Sequence, residues 1–229
     1  MVKLMRDLAS KIFRQILMLR SRIKLSIGFE PLSHSWSDRG KPIHREYLEQ
    51  FLADCSVDIK GVCLEFQEDS YTSQFGGEKV LKVDILHKEE GNPKATIVAD
   101  LTAENTIPSD IYDCIICTYT LHLVYKFQRM VSELHRILRP GGVLLVAVPC
   151  ISTCYSKYHE FWRFTPEGLT LLLAECFVAD NIMVKFYGNS LTAAGELRGL
   201  RLHEFSNKEA QRHDSRYPLV VCARAQKNT

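Results

Sequence analysis

DCIICTYTLHLVYKFQRMVSELHRILRPGGVLLVAVP, residues Asp113 to Pro149, is the stretch that decides the fold. It opens on a short apolar run and leaves it abruptly. Phe127, Met130, Val131, Leu134, Ile137 and Leu138 then recur at helical spacing over 125–138. Arg139-Pro140-Gly141-Gly142 stops that helix, and a second apolar run, 142–148, follows. Strand, helix and strand in this order make a βαβ unit of a parallel sheet, a scaffold that binds nucleotide-like ligands at the carboxyl ends of its strands.

Outward from this unit, further strands are expected at 59–66, 80–85, 95–100, 112–117, 181–187 and 217–225. Most are continuous apolar runs, as suits strands covered on both faces. Thr165-Pro166-Glu167 carries the signals of a helix start, with Leu169, Leu172, Leu173, Cys176 and Phe177 as its apolar face. The gaps from Phe66 to Val80 and from Ile85 to Ala95 hold 13 and 9 residues. A parallel crossover normally needs a dozen or more, so the first half of the sheet has short helices or none.

The chain has 229 residues, 46% of them hydrophobic, and a net charge of +2. That charge is unevenly spread. Residues 1–25 hold seven Lys or Arg against the single acid Asp7, leaving 22 basic and 26 acidic residues elsewhere. A mildly acidic body argues against nucleic acid as a partner. Leu4, Met5, Leu8, Ile12, Ile16, Leu19 and Ile23 lie at helical spacing, so residues 1–27 read as a basic amphipathic helix. Three readings stay open for it: packing on its own domain, contact with a membrane surface or partner, and a targeting segment. Residues 28–58 read as a Ser-, Gly- and Pro-rich linker and a helical cap with Tyr47, Leu48, Phe51 and Leu52 on one face, and 59–229 as the main domain. A homodimer would also cover the thin half of the sheet. Eight cysteines, mostly in apolar segments with no secretory pattern ahead of them, suggest free thiols in a cytoplasmic protein, with peripheral membrane contact through 1–25 as an option. Cys117, Cys150 and Cys154 could gather, but no metal site is expected, because residues three apart on a strand face opposite ways.

The wording LHRILRPGGVLLVAVP (134–149) resembles the class I S-adenosylmethionine-dependent methyltransferases, over roughly 36–226. DRGKPIHREYLEQFL, YTSQFGG, GNPKATIVADLT and EFWRFT are similar to a type 11-like group often linked to polysaccharide biosynthesis. The resemblance implies an α/β, Rossmann-like fold: a seven-stranded, mostly parallel sheet with flanking helices and a final antiparallel strand. It also implies S-adenosylmethionine as cofactor, with Glu65 supporting its methionine end and Asp84 accepting its ribose hydroxyls. Asp100 and Leu101 would meet the adenine, and Thr118 would line the floor. The 19-residue step from Glu65 to Asp84 suits a diol-binding carboxylate. His122 is the candidate catalytic base. The loop holding Tyr155, Tyr158, His159, Phe161, Trp162 and Arg163 would roof a sugar, glycan or other small acceptor. One departure stands out. The family's first loop reads acid-x-Gly-x-Gly-x-Gly, whereas here Glu65 to Tyr71 holds no glycine, with Gln67 where a Gly is usual. Gly76-Gly77 is the candidate substitute. The alternative reading is a catalytically inactive methyltransferase-fold binding or scaffold protein. A nicotinamide dehydrogenase is disfavoured, since no G-x-G-x-x-G follows a strand.

Overall fold

The structure, a computed structural model, describes residues 2–25, 28–33, 35, 38–155 and 159–229. Its chain divides into two compact units, one of residues 1–47, 151–153 and 187–219, the other of 48–150, 154–186 and 220–229.

The second unit holds the sheet. Among the described residues its strands are β1 (Gly61–Phe66), β2 (Val80–His87), β3 (Ile97–Val98), β4 (Tyr112–Thr118), β5 (Leu138–Pro149), β6 (Ile182–Tyr187) and β7 (Val220–Gln226). They lie in the order β3-β2-β1-β4-β5-β7-β6. The pairs β2–β3, β1–β2, β1–β4 and β4–β5 are parallel, and β7 enters antiparallel beside β5, with Val143 opposite Gln226 and Pro149 opposite Val220. The βαβ unit is as expected: a helix (Phe127–Ile137) joins β4 to β5 and buries Met130, Val131, Leu134 and Ile137. Each such side chain contributes about 1.5–3 kcal/mol of burial. The helix stops at Ile137, and Leu138 already pairs with Tyr112, so β5 begins four residues before the expected start. Left-handed Gly141 (φ 79°) makes the bend. The next helix, Pro166–Ala174, is capped by Thr165, whose Oγ accepts the Gly168 N–H at 3.1 Å.

The thin first half is confirmed. Only a seven-residue helix, Ser70–Gly76, and a short turn join β1 to β2, and no helix joins β2 to β3. β3 shrinks to two residues where six were expected. Its ladder is limited to an edge where Thr96 N–H reaches Ile85 O and Ala99 N–H reaches His87 O.

In the first unit, helices Val2–Leu25, Ser190–Leu197 and Asn207–Ala210 accompany the segment 38–47. Pro42 bridges Arg201, whose guanidinium is buried against Asp38 at 2.9 Å and the carbonyl of Ser35. The Tyr47 ring stacks on Tyr187, and its hydroxyl donates to Ala210 O at 2.9 Å. The structure thus groups 187–219 with the N-terminal segment, a division that cuts across the sequence-based boundaries at 27 and 58. These ties are between residues over 100 positions apart, which no local pattern announces. In chain order the helices are α1 (Val2–Leu25), α2 (Ile43–Asp54), α3 (Ser70–Gly76), α4 (Phe127–Ile137), α5 (Pro166–Ala174), α6 (Ser190–Leu197) and α7 (Asn207–Ala210).

Candidate active site

In this strand order the connection reverses direction between β1 and β4, and an open α/β sheet splits at such a point to make a crevice. Both lips have unusual backbone. Gln67 directly follows β1 with φ of 72°, and Tyr119 directly follows β4 with φ of 47°. Left-handed backbone costs a non-glycine residue about 1–2 kcal/mol. Two such residues on adjacent strands at one sheet edge mark where the chain is held open.

Gln67 takes the conformation for which a glycine is usual in the resembled family. Its side chain is exposed, so nothing collides; the cost is in the backbone alone. Three contacts hold it there. Gln67 N–H donates to Leu86 O at 3.1 Å, Asn92 Nδ2 donates to Gln67 O at 2.7 Å, and Lys94 pairs with Glu68 at 3.2 Å. Gln67→Gly should therefore stabilise the protein by about 0.5–1 kcal/mol in urea denaturation, the relief being partly offset by a more flexible unfolded chain. A loss of stability would mean that the left-handed backbone is not strained.

Gly76-Gly77 does not serve as the substitute loop. Gly76 packs between Val80 and Ile59, where an added Cβ would lie 2.4 and 2.8 Å from their methyl groups, and left-handed Gly77 ends α3. Both sit beside the start of β2, at the edge of the sheet opposite the crevice.

Glu65 is buried with 2% exposure, and its two oxygens accept the N–H groups of Tyr71 (3.1 Å) and Thr72 (2.7 Å). It thereby fixes the start of α3 behind the left-handed loop. Burial pushes its carboxyl up to about 7, against the opposing pull of the Thr72 and Tyr71 hydrogen bonds. Asp84 is not the end of its strand, because Leu86 pairs with both Phe66 and Ile97 and carries β2 on to His87. It is buried and already engaged, accepting from Lys82 Nζ (2.9 Å), Thr96 Oγ1 (3.2 Å) and Tyr112 OH (3.2 Å). Asp100 lies past β3, about one-third exposed. Its Oδ1 accepts from Thr102 N–H (2.8 Å) and Oγ1 (2.7 Å), and Lys88 stands 3.4 Å from its Oδ2. Partial burial opposes the charge, but Thr102 and Lys88 outweigh it and hold the carboxyl below its ordinary value. Leu101 is buried in the core, and Thr118 is half-buried at the end of β4.

His122 falls in a 3₁₀ turn, Leu121–Leu123, just past β4. Its ring is buried, edge-on to Tyr119 at 6.1 Å, and Nδ1 has no partner among the described residues. Burial lowers its pKa to about 4, with Glu160 opposing and Arg163 adding to the effect, so the ring is neutral at pH 7. The residue that sequence reasoning missed is Glu160. Its nearly buried carboxylate accepts Tyr155 N–H (2.8 Å) and an Arg163 N–H (2.6 Å), and stands 4.0 Å from His122 Nε2. An acid set among aromatic residues was the available signal. The loop is also tied to the β4 exit through Phe161 and Trp162 N–H groups, both donating to His122 O at 2.9 and 3.2 Å. Around it Tyr125 stacks on Trp162 (6.0 Å) and meets Phe161 edge-on (5.5 Å), with Tyr125 and Phe161 exposed. Tyr158 lies outside the described residues. Cys117, Cys150 and Cys154 do not form a metal cluster among the described residues, nor does any other group of His, Cys, Asp and Glu.

Residues 65–146 match the family described as a methyltransferase domain. The fold is that of the class I methyltransferases. A S-adenosylmethionine-dependent methyltransferase from Archaeoglobus fulgidus superposes with a TM-score of 0.55 at 12% identity, over 84% of this chain and 97% of that one. Phosphoethanolamine N-methyltransferase 2 of Haemonchus contortus, solved with phosphomonomethylethanolamine and S-adenosylhomocysteine, gives 0.53 at 11% identity, over 80% and 53%. The [4+2]-cyclase SpnF gives 0.52 at 12%, over 96% and 94%. A search of curated proteins returned no match. Identities this low establish the fold and leave the reaction to the site, as the cyclase illustrates.

S-adenosylmethionine is the cofactor that the matching methyltransferase domain implies, and the crevice fits it in outline. The left-handed Gln67 supplies the backbone course that a glycine would, and the half-buried Asp100 and Thr118 stand at the strand ends on either side. Asp84 fits only if it exchanges Thr96 or Tyr112 for a ligand hydroxyl.

Proposed function

We propose that this chain is a S-adenosylmethionine-dependent methyltransferase that methylates an oxygen of a sugar, glycan or other small polar acceptor. The observation that carries the reading is the pair of left-handed lips at the β1/β4 switch point, inside the stretch that matches the methyltransferase domain. Asp100 and Thr118 would hold the cofactor directly. Glu65 would act by holding α3, and Asp84 after exchanging a partner. The bound cofactor supplies an electrophilic methyl group. The exposed Tyr125 and Phe161 faces suit the apolar side of a sugar ring, in keeping with a type 11-like, polysaccharide-linked subgroup. His122, neutral and with Nδ1 unpartnered, would take the acceptor hydroxyl's proton, and Glu160 beside Nε2 would stabilise the imidazolium that results. Alignment of the acceptor oxygen would supply much of the remaining acceleration.

Calorimetric titration with S-adenosylhomocysteine tests the cofactor half. The native chain should bind in the micromolar range, and Asp100→Ala should bind about tenfold more weakly, the worth of one hydrogen bond to a charged group. If neither the native chain nor Gln67→Gly binds, the enzyme reading fails. Methyl transfer to a panel of monosaccharides and glycans then tests the acceptor half.

A further inference from the structure

α1 is amphipathic by sequence, and the structure shows which way it faces. Within the first unit it meets the turn Leu202–Glu204, Arg22 pairs with Glu209, and among the described side chains Leu17, Met18 and Arg22 are half-covered. These three fall on one side of the helix. Met5, Leu8, Ile12, Ile16, Leu19 and Ile23 form a separate stripe, centred about 80–140° around the helix from these three, at spacings of three and four, and each is 49–66% exposed. The helix thus sits on its own unit by its mixed face and turns its cleanest apolar stripe outward. From Met5 to Ile23 the stripe is about 27 Å long, more apolar surface than a soluble helix leaves bare without a use.

The charges say what covers it. The helix holds seven Lys or Arg and one acid, and exposed Lys11 and Arg20 fall on the two flanks of the stripe. A second copy packed on the stripe would bring two strongly basic helices together at close range, which is repulsive. No helix among the described residues is long and apolar enough to cross a membrane. An anionic bilayer surface satisfies both features at once: acyl chains take the stripe, and lipid phosphates and carboxylates take the flanking cations.

We propose that α1 is a docking helix for an anionic membrane surface, lying in its plane with the Met5–Ile23 stripe inserted. The inference does not depend on the methyltransferase reading.

The full chain should co-sediment with vesicles of phosphatidylcholine containing about 30% phosphatidylserine, and only weakly with phosphatidylcholine alone. Two variants separate the contributions. Ile12→Glu/Ile16→Glu should lower the partition coefficient by about tenfold or more through lost apolar insertion. Lys11→Glu/Arg20→Glu should lower it by a similar factor at low salt, with the difference shrinking as salt rises. Neither pair touches the crevice, so circular dichroism and S-adenosylhomocysteine affinity should match the parent. Equal binding to both vesicle types would overturn the anionic assignment. A concentration-dependent dimer that Ile12→Glu/Ile16→Glu dissociates, with no vesicle binding by the parent, would give the stripe to a second copy and overturn the proposal outright.

Discussion

Unfolded by urea across a pH series, the Glu65→Gln variant should gain about 3 kcal/mol of stability relative to the parent chain between pH 4.5 and pH 7. Two buried groups with opposite shifts shape the profiles. The Glu65 carboxyl is raised from 4.5 to about 7 by burial. Between those values the folded chain holds a proton that the unfolded chain has released, so stability falls as pH rises. The His122 ring is lowered from 6.5 to about 4, again by burial. Between those values the unfolded chain holds the proton and the folded chain does not, so stability rises with pH. Each contributes about 1.4 kcal/mol per pH unit within its window. From about 4.5 to 6.5 these two slopes offset each other in the parent, while His135 and His213, both lowered by burial, add the same rising slope to parent and variant. Removing Glu65's charge exposes the histidine slope. His122→Asn should do the reverse, with stability dropping by about 3 kcal/mol relative to the parent from pH 4 to pH 6.5. A Glu65→Gln profile parallel to the parent's would place that carboxyl at an ordinary value.

The other large effect is expected at Glu160. Glu160→Ala removes the acceptor for Tyr155 N–H and for Arg163, and the carboxylate nearest to His122. The loop 155–163 then loses its anchor, and the imidazolium proposed for His122 would lose its counter-charge. Methyl transfer should fall by about a hundredfold, within the range of a lost acid–base assembly. S-adenosylhomocysteine affinity should stay within about twofold, since Glu160 touches none of the residues assigned to the cofactor. Glu160→Gln keeps an oxygen for Tyr155 but not the charge, and should fall between the two. Equal losses of turnover and cofactor affinity would show that the loop belongs to the cofactor site instead.

How much of this was readable beforehand differs element by element. The α4 stripe and the apolar runs flanking it are set by burial on both faces of the sheet, and burial leaves a direct imprint on residue type. The short crossovers before β2 and β3 were legible by counting residues. The site was less so. Asp84 lies in the body of β2 instead of at its end, and its use depends on Tyr112 in β4 and Thr96 just before β3. Glu65 carries the expected acid, while the partners of its oxygens are α3 amides that any sequence would supply. Gln67 is the instructive case. A missing glycine looked like a missing conformation, yet Asn92 and Leu86 hold the same backbone in place without it. Nor could periodicity say whether the α1 stripe faces in or out, because an amphipathic helix has one pattern and two ways to lie.

The placement of β7 has a consequence for how the chain comes to be folded. β6 has β7 as its neighbour in the sheet, and β7 is made last of the seven strands, more than seventy residues after the β5 residues it pairs with. A ribosome that has synthesised as far as Leu219 has produced a parallel core with β5 as an open edge, and a sixth strand with nothing to join. Such an edge is a ready template for foreign strands. The nascent chain is therefore most exposed to misassociation during the interval before residues 220–226 emerge, and a chaperone or slow translation at that point would matter more than at any earlier one.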